Sequence, residues 1–586
     1  MVMEISGSVL LSVIAASGFC FDLTAEGFIP ANRGQFVCIL LFLIFAAGLF
    51  HSFRTGSRRL KIISFVYAVI TAGFYVVGMN FDRMQTLLWL KRNGEQAFIF
   101  INVFFYHVVL NYCIVFCIFQ LAERCGKHSG SRQKESGSSK RLFLYWGILI
   151  LCFLPWFLYI YPGHLTQDSE DMIGQAIGLR SLSDHHSVFL TMCIRCIMLP
   201  VRFLTGSYRK GLAAFLFLQV LSASFVFALC MELISRYVSH KIIRAVFLLW
   251  FALYPPYPIY SVTLWKDIPF SVCFLVMLYS INEIAGAPDE FFRSAGSRSI
   301  LFFSMLLLLI LRHNGIAVVL ILSVCLLLKY KAFRKQIVLI CGSALILAGI
   351  WNMILLPAFH VEKVEAGLGL SVLQQQIART LSRHHESLPQ DEREAIKAYF
   401  DIPAIWERYD PVLTDPVKKH FLEEKFADDP GAFFLLWAKL GLRYPLDYIE
   451  AFLHNNFGYW FPDAGEHLHF TGTYVVTVED IHPSPLIRSG LLDRIWDLFI
   501  NKEYYGMPVV SLLFSPGACF WLWLLCGFYC LYNNRRRFIL FVPGFVLWLS
   551  ILISPVYSEY RYAYGLFAGL PLLLAVSFVF QEQKQD

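Results

Sequence analysis

Charge is what this chain has least of: Asp, Glu, Lys and Arg make up only 16% of its 586 residues, against 57% hydrophobic and 16% aromatic. So few ionised groups cannot clothe a soluble protein of this size, which excludes the soluble globular classes. Cysteine is missing where a secreted domain would use it. All fifteen cysteines lie in or beside apolar segments, and the polar stretch from Pro357 to Gly506 has none, so no disulfide framework is implied. Cys193-Ile-Arg-Cys196 has redox or zinc-pair spacing but no second pair, and it reads as two small apolar residues on a helix. The amino terminus lacks the basic region and small-residue cleavage motif of a secretory signal, so Val9 to Phe21 reads as a retained first helix. No internal repeat supports an inverted-repeat transporter.

What is present is a succession of apolar runs. With about twenty residues per crossing, spans are predicted near 5–22, 36–52, 62–79, 97–120, 142–160, 211–234, 242–259, 268–285, 299–311, 315–328, 336–356, 507–532, 538–556 and 563–580. The net charge of +7 does not point to nucleic acid, because the basic residues sit in short clusters between these runs. Examples are Arg54, Arg58, Arg59 and Lys61, the run from Arg124 to Arg141, Lys329 to Lys335, and Asn533 to Arg537. The positive-inside rule places them in the cytoplasm, with both termini cytoplasmic in a plasma membrane.

One apolar segment, Ser187 to Leu204, carries Arg195 and Arg202. If it crossed, the later basic clusters would fall outside, so it is predicted to lie along the outer surface as an amphipathic helix. The expected fold is an all-α polytopic membrane protein of about fourteen transmembrane helices with a mixed α/β extracytoplasmic domain. Residues 1–122 form an accessory four-helix membrane bundle and 123–141 a basic cytoplasmic linker. Residues 142–356 form a membrane core whose first outer loop is 161–210, followed by the extracytoplasmic domain 357–506 and the C-terminal helices 507–586. That domain should contain a helix at Asp391 to Phe400 and a strand at Tyr474 to Val478. The spans Ile300 to Leu311 and Ile316 to Leu328 look too short to cross unaided, so Arg312 between them would lie below the surface and need an anionic partner.

On this topology the outward-facing polar residues collect at one depth. They are Asp168 and Asp171, then Asp184, His185 and His186, Lys266 and Asp267, Arg312 and Asn314, and finally Glu559, Arg561 and Tyr562. A phosphate-bearing lipid headgroup would account for the cations, and a reacting hydroxyl for the carboxylates. Plainer readings exist for each. Asp168 could be a helix N-cap with Asp171 three residues on, Lys266-Asp267 an interfacial anchor pair, and Arg561 a snorkelling residue. His185 and His186 lack the further ligands of a metal site and read as loop or acceptor contacts, while His384-His385 read as surface residues.

The order of these elements resembles the GT-C class of integral-membrane glycosyltransferases, and within it a bacterial group of that class. It runs through Asp168, Asp184-His185-His186, Leu264-Trp-Lys266-Asp267, Arg312-His-Asn-Gly315 and Glu559-Tyr-Arg561-Tyr562. The likeness covers residues 142 to 580, with the Asp-His-His and Lys-Asp elements its more specific parts. Ser187 stands where the proline more usual after the two histidines would be. The resemblance implies transfer of a sugar from a polyprenyl-phosphate donor to a glycan or lipid acceptor of the cell envelope on the extracytoplasmic face. Asp168 would be the catalytic base, with Asp171, Asp184, His185 and His186 on the acceptor side. Lys266, Arg312 and Arg561 would hold the donor phosphate, supported by Asp267, Asn314 and Glu559. No protein cofactor is implied, and the sequence leaves open whether a divalent ion shares in neutralising the phosphate. A transporter or flippase of a lipid-linked glycan is the alternative.

Overall fold

Serine begins many of the apolar helices. In the computed structural model the hydroxyls of Ser57, Ser138, Ser187, Ser207, Ser294 and Ser515 each accept the amide three residues on, satisfying a donor that the helix itself leaves open. The structure describes all residues except 1, 25–26, 32–34, 88–93, 129–136, 239, 364–365, 466–477, 479, 554, 556–557 and 581–586. Its elements are overwhelmingly helical, as an apolar solvent that cannot bond the backbone requires. Among the described residues ten helices are long and apolar enough to cross a membrane, and the protein is a predominantly helical polytopic membrane protein.

The N-terminal bundle consists of α1 (Val2–Phe19), α2 (Gln35–Arg54), α3 (Arg58–Met84) and α4 (Gly94–His128). Between α1 and α2 runs a hairpin not anticipated from sequence, β1 (Phe21–Thr24) antiparallel to β2 (Gly27–Pro30). The core follows with α5 (Ser139–Tyr159), α6 (Gln167–Ile177), α7 (Val188–Thr205) and α8 (Tyr208–Tyr237). The span expected near 242–259 is two helices, α9 (Lys241–Leu253) and α10 (Pro256–Ser261), because Pro255 and Pro256 cannot continue the first. Then come α11 (Asp267–Gly286), α12 (Pro288–Arg293), α13 (Ala295–Leu311) and α14 (Asn314–Lys329). The last two have 17 and 16 residues, longer than expected, and at about 1.5 Å per residue they nearly match the hydrocarbon thickness. Gly315 is needed at their turn, since a Cβ there would collide with the Leu308 carbonyl. After α15 (Arg334–Ile350) a π turn leads into α16 (Leu356–Ala358).

Residues 357–506 hold α17 (Ser371–His384), α18 (Gln390–Lys397), α19 (Ile402–Arg408), α20 (Asp415–Lys418), α21 (Glu423–Asp428), α22 (Pro430–Arg443), α23 (Pro445–Asn455) and α24 (Gly490–Ile500). The described part of this region is helical, and no strand of the expected mixed α/β character lies among its described residues. Among the described residues this region shows helices around a core that includes Ile377, Leu381, Phe400 and Phe433, with an isolated bridge Phe400–Phe421 and a bridge from Glu362 to Ser183. The strand expected at Tyr474 to Val478 lies, but for Val478, outside the described residues. The chain ends with α25 (Val510–Phe514), α26 (Pro516–Asn533), α27 (Val542–Ile553) and α28 (Tyr560–Leu574).

Hydrogen bonds fix which helix ends lie together. Ser138 at the start of α5 meets Glu232 near the end of α8, Arg236 of α8 meets Glu283 near the end of α11, and Arg537 meets Tyr237 and Asn282. Arg59 reaches the Leu531 carbonyl, and Lys329 that of Arg536. The basic clusters thus share one end of the bundle. Both ends of α7 lie at the other: Ser187 bonds Ile310 at the close of α13, while Arg209 just past α7 bonds Ser484, which bonds Tyr161 past α5. Although α7 is long enough to span, it is laid along that face.

Candidate functional site

Five segments converge at the end of the bundle opposite the basic clusters. The first outer loop is pinned to the segment before α11: His164 pairs with Thr263 in a short parallel bridge, and the Ser169 hydroxyl donates to the Leu264 carbonyl at 2.9 Å. Thr166 caps α6, its own N–H donating to Ser169 Oγ at 2.9 Å, and Trp265 donates its indole N–H to Thr166 Oγ1 at 2.8 Å. Asp168 is therefore the second residue of α6 and not its cap, which overturns the capping reading and leaves its carboxylate free for other work.

That carboxylate accepts from Arg561, Oδ2 to Nη1, at 2.7 Å across 393 residues of sequence. Arg561 also donates to Glu559 Oε2 at 2.8 Å and to the Tyr562 hydroxyl at 3.1 Å, and its guanidinium stands 5.1 Å from the ring centre of Trp265 and 4.9 Å from that of Tyr562. An arginine enclosed by two carboxylates and two rings is held, so the snorkelling reading fails. Arg312 has the anionic partner that its depth demanded: it pairs with Asp267, and Phe270 and Tyr562 flank it. Lys266 differs. Its ammonium donates to the His185 carbonyl at 2.7 Å, and among the described residues no carboxylate lies within ion-pair distance. Three cations and three carboxylates balance here, with Lys266 the cation whose charge is least compensated.

Burial and charge tune these groups in opposite directions. Burial alone would raise the Asp168 pKa, but Arg561, His186 and Lys266 outweigh it and hold the carboxyl below its ordinary value. His186 is pushed down to about 3, first by burial and then by Lys266, so its ring is neutral. Burial also lowers Lys266, with Arg312 adding to the effect. Glu559 is pushed up to about 7 by burial, against the pull of Arg561.

The remaining candidates divide. His186 is 3% exposed, with Nε2 3.7 Å from Asp171 and without a hydrogen-bond partner among the described residues, and His185 packs edge-on against it. Asp171 is held chiefly by Arg180, which also approaches Glu170 at 3.5 Å. Two expected members stand apart. Asp184 is tied through its backbone N–H to the Glu362 carbonyl and makes no ion pair among the described residues, while Asn314 donates to Ser550 Oγ, joining α14 to α27. His384 and His385 are not plain surface residues: His384 pairs with Asp447 at 2.8 Å, and His385 stacks on Trp406. Sequence reasoning missed Trp265, Arg180 and Tyr459. Trp265 could have been found, since it adjoins Lys266; Tyr459, whose buried hydroxyl accepts the Glu559 N–H at 3.0 Å, had no local signal. Among the described residues no group of three His, Cys, Asp or Glu side chains is placed to hold a metal ion.

A family model covers residues 179–586, more than two thirds of the chain. The chain belongs to the DUF6020 family. That family is described as one of unknown function. No curated protein and no solved structure matches the chain. The DUF6020 region contains His186, Lys266, Asp267, Arg312, Glu559 and Arg561, while Asp168 and Asp171 precede it.

Proposed function

We propose that this DUF6020 protein is a membrane glycosyltransferase of the GT-C type, moving a sugar from a polyprenyl-phosphate donor to a cell-envelope acceptor. The observation that carries the reading is the Asp168–Arg561–Glu559 array beside Lys266, at the end of the bundle opposite the basic clusters. By the positive-inside rule that end is extracytoplasmic. In the reaction the acceptor oxygen forms a bond to the anomeric carbon, the bond from that carbon to the lipid phosphate breaks, and the hydroxyl proton passes to a carboxylate.

Lys266 offers the donor phosphate its first contact, since an incoming phosphodiester monoanion there displaces no carboxylate. Arg561 then has three anions to serve, Asp168, Glu559 and the phosphate. As it turns toward the phosphate, Asp168 loses the partner that depresses its basicity, so donor binding readies the base. The leaving phosphate is steadied by Lys266 and Arg561 as its charge grows. His186, neutral and with its Nε2 unbonded among the described residues, supplies an acceptor-side contact with Asp171 beside it. Arg312, committed to Asp267, shapes the site beside the phosphate position.

The test is purified protein in nanodiscs with a radiolabelled polyprenyl-phosphate sugar and a crude envelope acceptor. Transfer by the parent and not by Asp168→Asn supports the reading. Translocation of an intact lipid-linked glycan with no change in glycosidic bonds would instead assign the site to a flippase, in which the same charges only bind.

A further inference from the structure

The turn between α2 and α3 is tight, with Gly56 at φ 74° and Ser57 capping the second helix, yet the two helices do not pack along their length. α2 leans on α1 while α3 leans on α4. The divergence opens a groove of about 380 Å³. Its floor is Leu49, Val108, Val109 and Tyr112, each less than a tenth exposed, and its rim includes Leu11, Ile62, Phe65 and Phe105, all more than a third exposed. α3 and α4 run antiparallel, so the groove extends from mid-bundle toward the basic end. Lys61 lines it there, its ammonium donating to the Phe53 carbonyl at 2.8 Å. Arg54 and Arg58 stand exposed at the same end, and from His51 to Ile62 the sequence carries no carboxylate.

We propose that this groove is a binding site for one chain of an anionic glycerophospholipid whose phosphate lies against Lys61, Arg58 and Arg54. In a bundle surrounded by hydrocarbon, a recessed apolar cleft open at its rim takes up a lipid chain, because a dry void forfeits dispersion contacts along its whole lining. The cations decide which lipid. A chain from any phospholipid fits the cleft, but a net negative headgroup gains from each juxtamembrane cation, whereas a zwitterionic one gains little. The lipid would fill the wedge between α2 and α3 and brace the bundle. This site is independent of the glycosyltransferase reading.

The experiment reconstitutes the full chain in phosphatidylcholine vesicles containing a trace of phosphatidylglycerol with a photoreactive diazirine in its acyl chain, and maps labelled peptides by mass spectrometry. Labelling should concentrate on residues 61–65 and 105–112, and unlabelled phosphatidylglycerol should compete about tenfold better than phosphatidylcholine, the ratio that one charge-assisted contact supplies. Val108→Trp, which fills the floor, should abolish the focus, and Arg58→Gln/Lys61→Gln should erase the preference between headgroups. Labelling of α14 and α15 serves as the control for folding in each variant. Even labelling over all lipid-facing helices, or equal competition by the two lipids, would overturn the proposal.

Discussion

Asp168 is the residue on which the chemistry turns. Because Thr166 caps α6, Asp168→Asn should leave the helix intact and remove only a proton acceptor and one of the anions around Arg561. Donor binding is expected to persist while turnover falls by about two orders of magnitude or more; undiminished transfer by the purified Asn variant would remove Asp168 from the mechanism. Lys266→Ala should act on the opposite quantity. Losing a charge-assisted contact worth about 1.5 to 3 kcal/mol, it should weaken polyprenyl-phosphate binding by at least tenfold, measured by native mass spectrometry, with the protein still accumulating in the membrane. Glu559 adds a pH signature. Its carboxyl titrates near 7 in the folded protein against 4.5 ordinarily. Between those values the folded form holds a proton that the unfolded form has lost, so this group's stabilising contribution, present below 4.5, declines as pH rises toward 7. Thermal melting of Glu559→Gln in detergent should lack that decline. Identical pH slopes in parent and variant would contradict the assignment.

At the scale of the element, the Arg312–Asp267 pair joins the start of α11 to the turn between α13 and α14. Both side chains are largely removed from solvent, so breaking the pair from one side strands the other charge. Asp267→Asn is expected to cost about 3 to 5 kcal/mol. The double variant Asp267→Asn/Arg312→Gln should cost less than the sum of the singles, a non-additivity measurable by denaturant titration. The helix α7 gives a geometric prediction. Since its two ends share one face, single cysteines at Ser183 and Thr205 in a cysteine-free background should both react with an impermeant thiol reagent from the same side of the membrane. A cysteine at Ser138 should react only from the other side. Opposite sidedness of Ser183 and Thr205 would mean that α7 crosses.

In the whole molecule, the N-terminal bundle is less separate than an accessory label suggests. Glu450 of α23 accepts from Arg379, Arg383 and the Leu87 amide, so the end of α3 is gripped by the 357–506 region. Tyr67 and Tyr75 of α3 bond Trp521 and Asp463. The same region reaches the candidate site through Tyr459, whose hydroxyl meets the Glu559 N–H and carbonyl. Bundle, outer region and site are therefore mechanically linked.

Hydropathy and charge clusters alone determined that the chain is polytopic, where most helices run and which helix ends lie together, because lipid demands an apolar stretch of fixed length and basic residues stay at the helix ends. They also brought Asp168, Lys266 and Arg561 to one depth. Depth is a one-dimensional quantity, and a sequence of spans can encode it. Who pairs with whom is lateral, and only the tertiary structure decided it. Asp168 meets Arg561 and Asp267 meets Arg312, while Asp184 and Asn314, at a similar depth, turn elsewhere. In the 357–506 region periodicity gave the helix expected at Asp391 to Phe400, found as α18 (Gln390–Lys397), but the arrangement of its short helices rests on mutual packing of residues such as Phe400 and Phe433.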